Sequence, residues 1–170
     1  MTINAEGKDL VITRVLQAPR ELVFKVWSEA EHLKHWWGPK GFEIHVKGMD
    51  FRPGGYFHYS MNAPDGTQMW GKFVYQEIHA PEKIVWHNCF SNEAGDIVRS
   101  PFSELIPLAI RNEVIFTDNS DGTTNMTLRS QPFNASDEER SFFEGMFDSM
   151  QQGFGGTFDQ LEQYLAENDK

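Results

Sequence analysis

Two hydrophobic periods run through this chain in a fixed order, and that order limits the folds open to it more than any other feature. From Gly41 to about residue 130, apolar and polar residues alternate, the pattern of strands with one buried face. From Ser136 onward the spacing becomes three and four. Phe143, Met146, Phe147, Met150, Phe154, Phe158, Leu161 and Leu165 then form one apolar stripe of a helix. Ser136 with Glu139 matches a capping box, and Asp137 and Glu138 suit the positive end of a helix dipole. Read as one helix of about 30 residues, the segment reaches roughly 45 Å, enough to cross a whole sheet.

The alternation also assigns inner faces. Phe42, Ile44 and Val46 oppose Glu43, His45 and Lys47; Phe57, Tyr59 and Met61 oppose His58 and Ser60. Pro64-Asp65-Gly66 is a turn. Gln68 to His79 is a longer strand with two competing faces, Trp70, Val74 and Ile78 against Met69, Phe73 and Tyr75. Beyond the Ala80-Pro81 turn, Ile84, Trp86, Asn88 and Phe90 oppose Lys83, His87 and Cys89. After a long connection over 91–108, Ile110, Asn112, Val114 and Phe116 face inward. Across the Asp121-Gly122 hairpin turn, Thr124, Met126 and Leu128 follow. The connection carries Ile97, Val98, Phe102, Leu105 and Ile106, so it is expected to cap something.

Ahead of these segments, residues 9–17 read as a strand. Pro19 opens a short helix through Trp27, and a second runs from about Glu29 to Trp36, before the Gly38-Pro39 breaker. Short links make the sheet antiparallel, and only the last helix is long enough to cover it. The expected fold is α+β: a curved antiparallel sheet of about six to seven strands wrapped around a long C-terminal helix, with two short helices after the first strand. The whole of 1–170 reads as one domain.

Charge narrows the function classes. Lys and Arg total 15 against 25 Asp and Glu, a net charge of −10, which repels phosphate backbones and anionic headgroups. Nucleic-acid and membrane partners are therefore not expected. The first ten residues lack a basic patch followed by an apolar run, so no signal peptide is read there. The lone Cys89 excludes an intramolecular disulfide and fits a reducing, cytoplasmic setting.

Several short motifs, in order along nearly the entire chain, resemble one family. They are Ala18-Pro19-Arg20-Glu21-Leu22-Val23-Phe24, Trp36-Trp37-Gly38-Pro39, Arg52-Pro53-Gly54-Gly55, Pro64-Asp65-Gly66, the stretch from Glu77 to Val85, and Gly153-Phe154 through Leu165. The chain is similar to the activator-of-Hsp90-ATPase-homologue (AHSA1-like) branch of the START-related helix-grip superfamily, also called SRPBCC or Bet v 1-like. Phe154 stands where the family often has Trp. The resemblance implies a helix-grip fold with a hydrophobic cavity between sheet and long helix. It also implies an apolar or aromatic small-molecule ligand. Two alternatives come with it: a protein-interaction module with a chaperone partner, and an enzyme of cyclase or hydrolase type.

The inward aromatic and Met side chains are the candidate ligand pocket: Phe57, Tyr59, Met61, Trp86, Phe90, Phe116, Phe143, Met146, Met150 and Phe154. The same residues would also make a filled core. Asn88 and Asn112 sit inward among them, either orienting a ligand or bonding to each other, backbone or water. Gly145, Gly153, Gly155 and Gly156 each cost about 1 kcal/mol against Ala in a helix. Ligand space, a kink or close helix–sheet packing would each account for them. His32 and His35 share a helix spacing without a completing ligand, so no metal is expected. Cofactor fingerprints and nucleophile motifs are missing, so the reading is a non-catalytic binding protein without a cofactor.

Overall fold

The computed structural model describes residues 9–168. The elements follow in the order β1 (Leu10–Leu16), α1 (Arg20–Ser28), α2 (Ala30–Trp36), β2 (Glu43–Asp50), β3 (Tyr56–Asn62), β4 (Gln68–His79), β5 (Lys83–Ser91), β6 (Ile97–Val98), β7 (Ile110–Asp118), β8 (Thr124–Pro132), α3 (Asp137–Gly145) and α4 (Phe147–Asn168). The strands form one antiparallel sheet in the order β1-β8-β7-β5-β4-β3-β2. The short β6 continues the β7 side of β5, opposite Phe90 and Ser91. It is the strand that takes the count to eight. Because β1 and β2 lie at opposite edges, the α1–α2 pair must carry the chain across the sheet, which closes one end of the core.

The inner face holds the side chains that alternation assigns to it: Phe57 and Tyr59 of β3, Ile84 and Trp86 of β5, Val114 and Phe116 of β7, and Met126 and Leu128 of β8 are all buried. In β4 the register shifts between Tyr75 and Glu77. Phe73 and Tyr75 are buried before that bulge, and Ile78 packs on the core after it. One extra residue moves inward residues from odd to even positions, so the strand shows two competing faces in its sequence.

Two expectations are corrected. The C-terminal segment is two helices, not one. Met146 leaves helical geometry at φ −96°, ψ 1°, and its N–H turns back to Phe143 O at 3.0 Å. Gly145, a weak helix former, precedes the break. The capping box does form: Ser136 Oγ accepts the Glu139 N–H at 3.1 Å, and Glu139 Oε1 accepts the Ser136 N–H at 2.9 Å. Second, His58, Ser60 and Cys89, assigned to the solvated face, are buried. Alternation reports which face a side chain takes. It does not report what covers that face: the turn over Asn92–Asp96 lies across His58, and Cys89 shares its cleft wall with Ile106, Pro107 and Ile110. His58 Nε2 donates to Asn92 O at 3.1 Å, and Lys72 Nζ donates to Gly95 O at 3.0 Å.

The helix α4 covers the inner face through Phe158, Leu161 and Leu165, all buried. Gln160 Nε2 donates to the Gly38 carbonyl at 2.9 Å, as does Thr157 Oγ1, and Arg14 of β1 meets Asp159 at 2.9 Å. These contacts fix α4 against the Trp36–Pro39 corner and the β1 edge. Among the described residues, no helix is long and apolar enough to cross a membrane.

Candidate functional site

Rings fill the middle of the molecule. Trp27 lies between Trp86 and Phe116, with centroids 5.4 and 6.0 Å away, and Phe158 of α4 meets it at 6.3 Å. Trp86 stacks on Phe73 at 5.0 Å, and Phe73 meets the edge of Trp37 at 5.0 Å. Past Trp37 the packing opens. A cleft of about 230 Å³ lies between the sheet and the first half of α4, lined by Trp37, Gly38, Pro39, Tyr59, Met61, Asn88, Met150, Gly153, Phe154 and Thr157. A smaller one of about 70 Å³ adjoins it through Tyr59, Met61 and Asn88, walled by Gly71, Cys89, Phe90, Ile106, Pro107 and Ile110.

The local sequence makes this opening. In α4, Gly153 presents no side chain, and a Cβ built there meets nothing within 4 Å. Gly155 and Gly145 are equally open, so close packing does not account for these three. Only Gly156 lies against a neighbour, the Lys40 side chain at 3.7 Å. On the floor, Gly71 gives Tyr59 its place: a Cβ there would stand 2.6 Å from Tyr59 Oη.

The lining holds no His, Asp, Glu, Lys or Arg. Its two titratable groups are kept neutral. Burial raises the Tyr59 phenol well above its ordinary range, against a smaller opposing effect of the Trp37 indole N–H that donates to it. Burial likewise pushes the Cys89 thiol up to about 11, partly offset by Lys72. One polar atom stands out. Asn88 Oδ1 is buried and has no hydrogen-bond partner, although Asn88 borders both clefts. Leaving such an acceptor unpaired costs roughly 1–3 kcal/mol.

The candidate pocket residues divide in two. Tyr59, Met61, Asn88, Phe90, Met150 and Phe154 surround the clefts. Phe57, Trp86 and Phe116 lie fully buried in the ring core. Asn112 Oδ1 accepts from the Ser130 hydroxyl, a side-chain partner on the neighbouring strand that is not among the alternatives read from the sequence. Phe143 packs on Phe147 at 5.5 Å, and Met146 stands at the α3–α4 break. Neither of these borders the two clefts. Trp37, Gly38, Pro39 and Thr157 also line the larger cleft. Trp36-Trp37-Gly38-Pro39 reads in sequence first as a structural corner and second as a source of a ring at a pocket mouth. Trp36 takes the first place, buried with its Nε1 donating to Val26 O at 3.1 Å, and Trp37 lines the cleft. The sequence carries no periodic signal to separate the two rings. The connection over 91–108 supplies Ile106 and Pro107 to the smaller cleft, while its Phe102 meets the edge of Phe90 at 6.0 Å.

A curved antiparallel sheet gripped by a C-terminal helix, with an uncharged cleft at one end of that helix, defines the helix-grip class. The sequence matches the family described as "Activator of Hsp90 ATPase homolog 1-like protein" over residues 17–166, and the chain belongs to that family. Among solved structures, a protein of Nitrosomonas europaea is 27% identical, with 98% of each chain covered and a TM-score of 0.75. A protein of Arthrobacter aurescens is 26% identical, covering 94% of this chain and 86% of that one, at a TM-score of 0.77. An AHSA1 protein of Silicibacter pomeroyi, 16% identical over 95% of this chain and 99% of that one, shares the fold at a TM-score of 0.68. A search of functionally curated proteins returns no significant match.

Proposed function

We propose that this protein binds a small, mostly apolar aromatic molecule carrying one hydrogen-bond donor, in the cleft between the sheet and the first half of α4, without catalysing a reaction. The observation that carries this reading is Asn88 Oδ1, a buried acceptor without a partner at the junction of the two clefts. A ligand N–H or O–H would satisfy it. Trp37, Phe154, Met61 and Met150 offer ring and thioether surface for the remainder.

Size narrows the class. Even taken together, the two clefts reach only the lower end of the roughly 300–1,000 Å³ that small-molecule sites occupy. One or two fused rings fit; a full acyl chain does not. An apolar space of about 150 Å³ already accommodates a benzene-sized guest. Because the lining groups stay neutral, the chemistry supports binding rather than proton transfer. The lone buried thiol is consistent with a cytoplasmic setting.

Calorimetric titration with 2-naphthol and 2-methoxynaphthalene tests the reading. The two share a ring system and differ in the donor. We expect naphthol to bind about tenfold more tightly. Asn88→Leu should abolish that preference while keeping the fold. Equal affinities, or a preference that survives Asn88→Leu, would count against it.

A second reading, contact with a protein partner such as a chaperone, is favoured by the apolar surface of the 91–108 connection. Phe102 is 68% exposed there, and Leu105 and Leu108 are also exposed. The same titration separates the two, since a module of that kind has no reason to distinguish the naphthalenes.

A further inference from the structure

The outer face of the sheet, away from the ligand cleft, carries a pocket of the opposite character. A cleft of about 330 Å³ lies between that face and the Asn92–Asp96 turn, with Lys47, Tyr56, His58, Lys72 and Gly95 on its walls. His58 and Lys72 are register partners on adjacent strands, so they share this face. Lys47 joins them through an irregularity. The β2–β3 register shifts between Val46 and Gly48, which makes Lys47 the extra residue of a bulge. Bulges re-aim side chains in this way. The Lys47 ammonium group lies 5.5 Å over the Trp70 ring, and that of Lys72 lies 5.5 Å over the Tyr56 ring.

These cations are poorly neutralised. Lys72 forms no ion pair among the described residues; it donates to the Gly95 carbonyl at 3.0 Å. Lys47 donates to the Glu93 carbonyl at 2.9 Å, and its nearest carboxylate oxygen, on Glu93, is 3.9 Å away. His58 is buried, and the charged groups acting on it are Lys72 and Lys47, both positive. The turn is drawn close over the pair: a Cβ on Gly95 would sit 3.7 Å from His58 Nδ1 and 3.9 Å from Lys72 Nζ. In a chain with 25 carboxylates and a net charge of −10, a confined cationic pocket runs against the overall field.

We propose that this outer-face cleft is an oxyanion site, taking the phosphate or carboxylate group of a small molecule between the ammonium groups of Lys47 and Lys72. Both are compact, rotatable donors suited to a tetrahedral or planar oxyanion. The Tyr56 hydroxyl, beside the cleft over Gly48, adds a neutral donor. The site is independent of the aromatic cleft: it shares no lining residue with it.

The test follows the His58 Cε1–H resonance by NMR during titration with inorganic phosphate and, separately, acetate, at ionic strength held constant with sodium chloride. Occupancy by an anion should produce a saturable shift, and the titrant that saturates at lower concentration identifies phosphate or carboxylate as the group recognised. Lys72→Gln should weaken that binding about tenfold. Lys47→Gln is the second variant, and Lys72→Arg should retain a saturable response. A shift that chloride reproduces equally, or one that both glutamine variants leave unchanged, overturns the proposal.

Discussion

Trp37 stands edge-on to Phe73, ring centroids 5.0 Å apart at 88°, and the solid core ends at that contact. Behind Phe73 the rings are continuous through Trp86 and Trp27. In front of Trp37 the next ring, Phe154, is 6.5 Å away, and the cleft opens beside it. Two tryptophans close together in space therefore have different expected roles, one structural and one at the binding surface.

That difference gives the first prediction. Trp86 is fully buried, so Trp86→Ala should cost about 3–5 kcal/mol in denaturant unfolding. Trp37→Ala should cost less, because Trp37 borders open space on one side, yet should weaken naphthol binding about tenfold or more. The contrast fails if the two variants lose stability and affinity in the same proportion.

Gly153 offers the reverse separation. It sits in a helix with nothing within 4 Å of a built Cβ. Gly153→Ala should raise stability by up to about 1 kcal/mol. Gly153→Leu should retain the fold while filling the cleft and suppressing binding. Gly155→Ala, equally open but outside the cleft lining, should stabilise without affecting affinity. Thermal melts paired with calorimetry check all three.

Acid should weaken the fold in a window set by histidine. His58 titrates below its ordinary 6.5, chiefly because burial disfavours the imidazolium; the hydrogen bond to the Asn92 carbonyl opposes this, and Lys72 and then Lys47 add smaller repulsions that lower it further. His87 is lowered as well, by burial and then by Arg111. The unfolded chain then binds more protons than the native one from about pH 7 down to the native titration. Stability should fall as pH drops through that range, before the lowered carboxylates Glu139 and Asp159 begin to matter. Urea midpoints at pH 7.5 and 5.5 should show the loss, and His58→Gln should reduce it. A wild-type midpoint that does not move across this interval would contradict the assignment.

Cys89 should be silent toward thiol reagents in the native protein. It is 6% exposed and its thiol is pushed up to about 11 by burial. A disulfide reagent at pH 8 should react fully in denaturant and only slowly without it. Rapid native labelling would place the thiol in an open environment.

The architecture was legible in the sequence because it rests on periods. Alternation placed Phe57, Tyr59, Trp86 and Phe116 inside, and Ser136 with Glu139 marked the helix start. Where period and register conflict, legibility ended. The bulge beyond Tyr75 gave β4 two faces, and the break at Met146 interrupted a stripe that the apolar spacing carried through unbroken. The cleft was only half legible for a related reason. Phe57 and Tyr59 have the same inward pattern and stack at 4.8 Å, but only Tyr59 lies at the boundary between filled and open space. Which of two inward rings meets a void depends on Gly71 and Gly153, distant in sequence and joined only by the fold. The burial of His58 depended likewise on a turn about thirty-five residues away laying itself across the outer face.

The most direct measurement is the Asn88 side-chain amide, followed by ¹⁵N NMR while 2-naphthol is added. A bound ring whose hydroxyl reaches Oδ1 predicts a saturable shift of that amide, accompanied by the backbone signals of Gly153 and Phe154, with a dissociation constant below about 1 mM. If those three positions stay unmoved up to the solubility limit of the ligand, the cleft does not take an aromatic guest and the binding account is wrong.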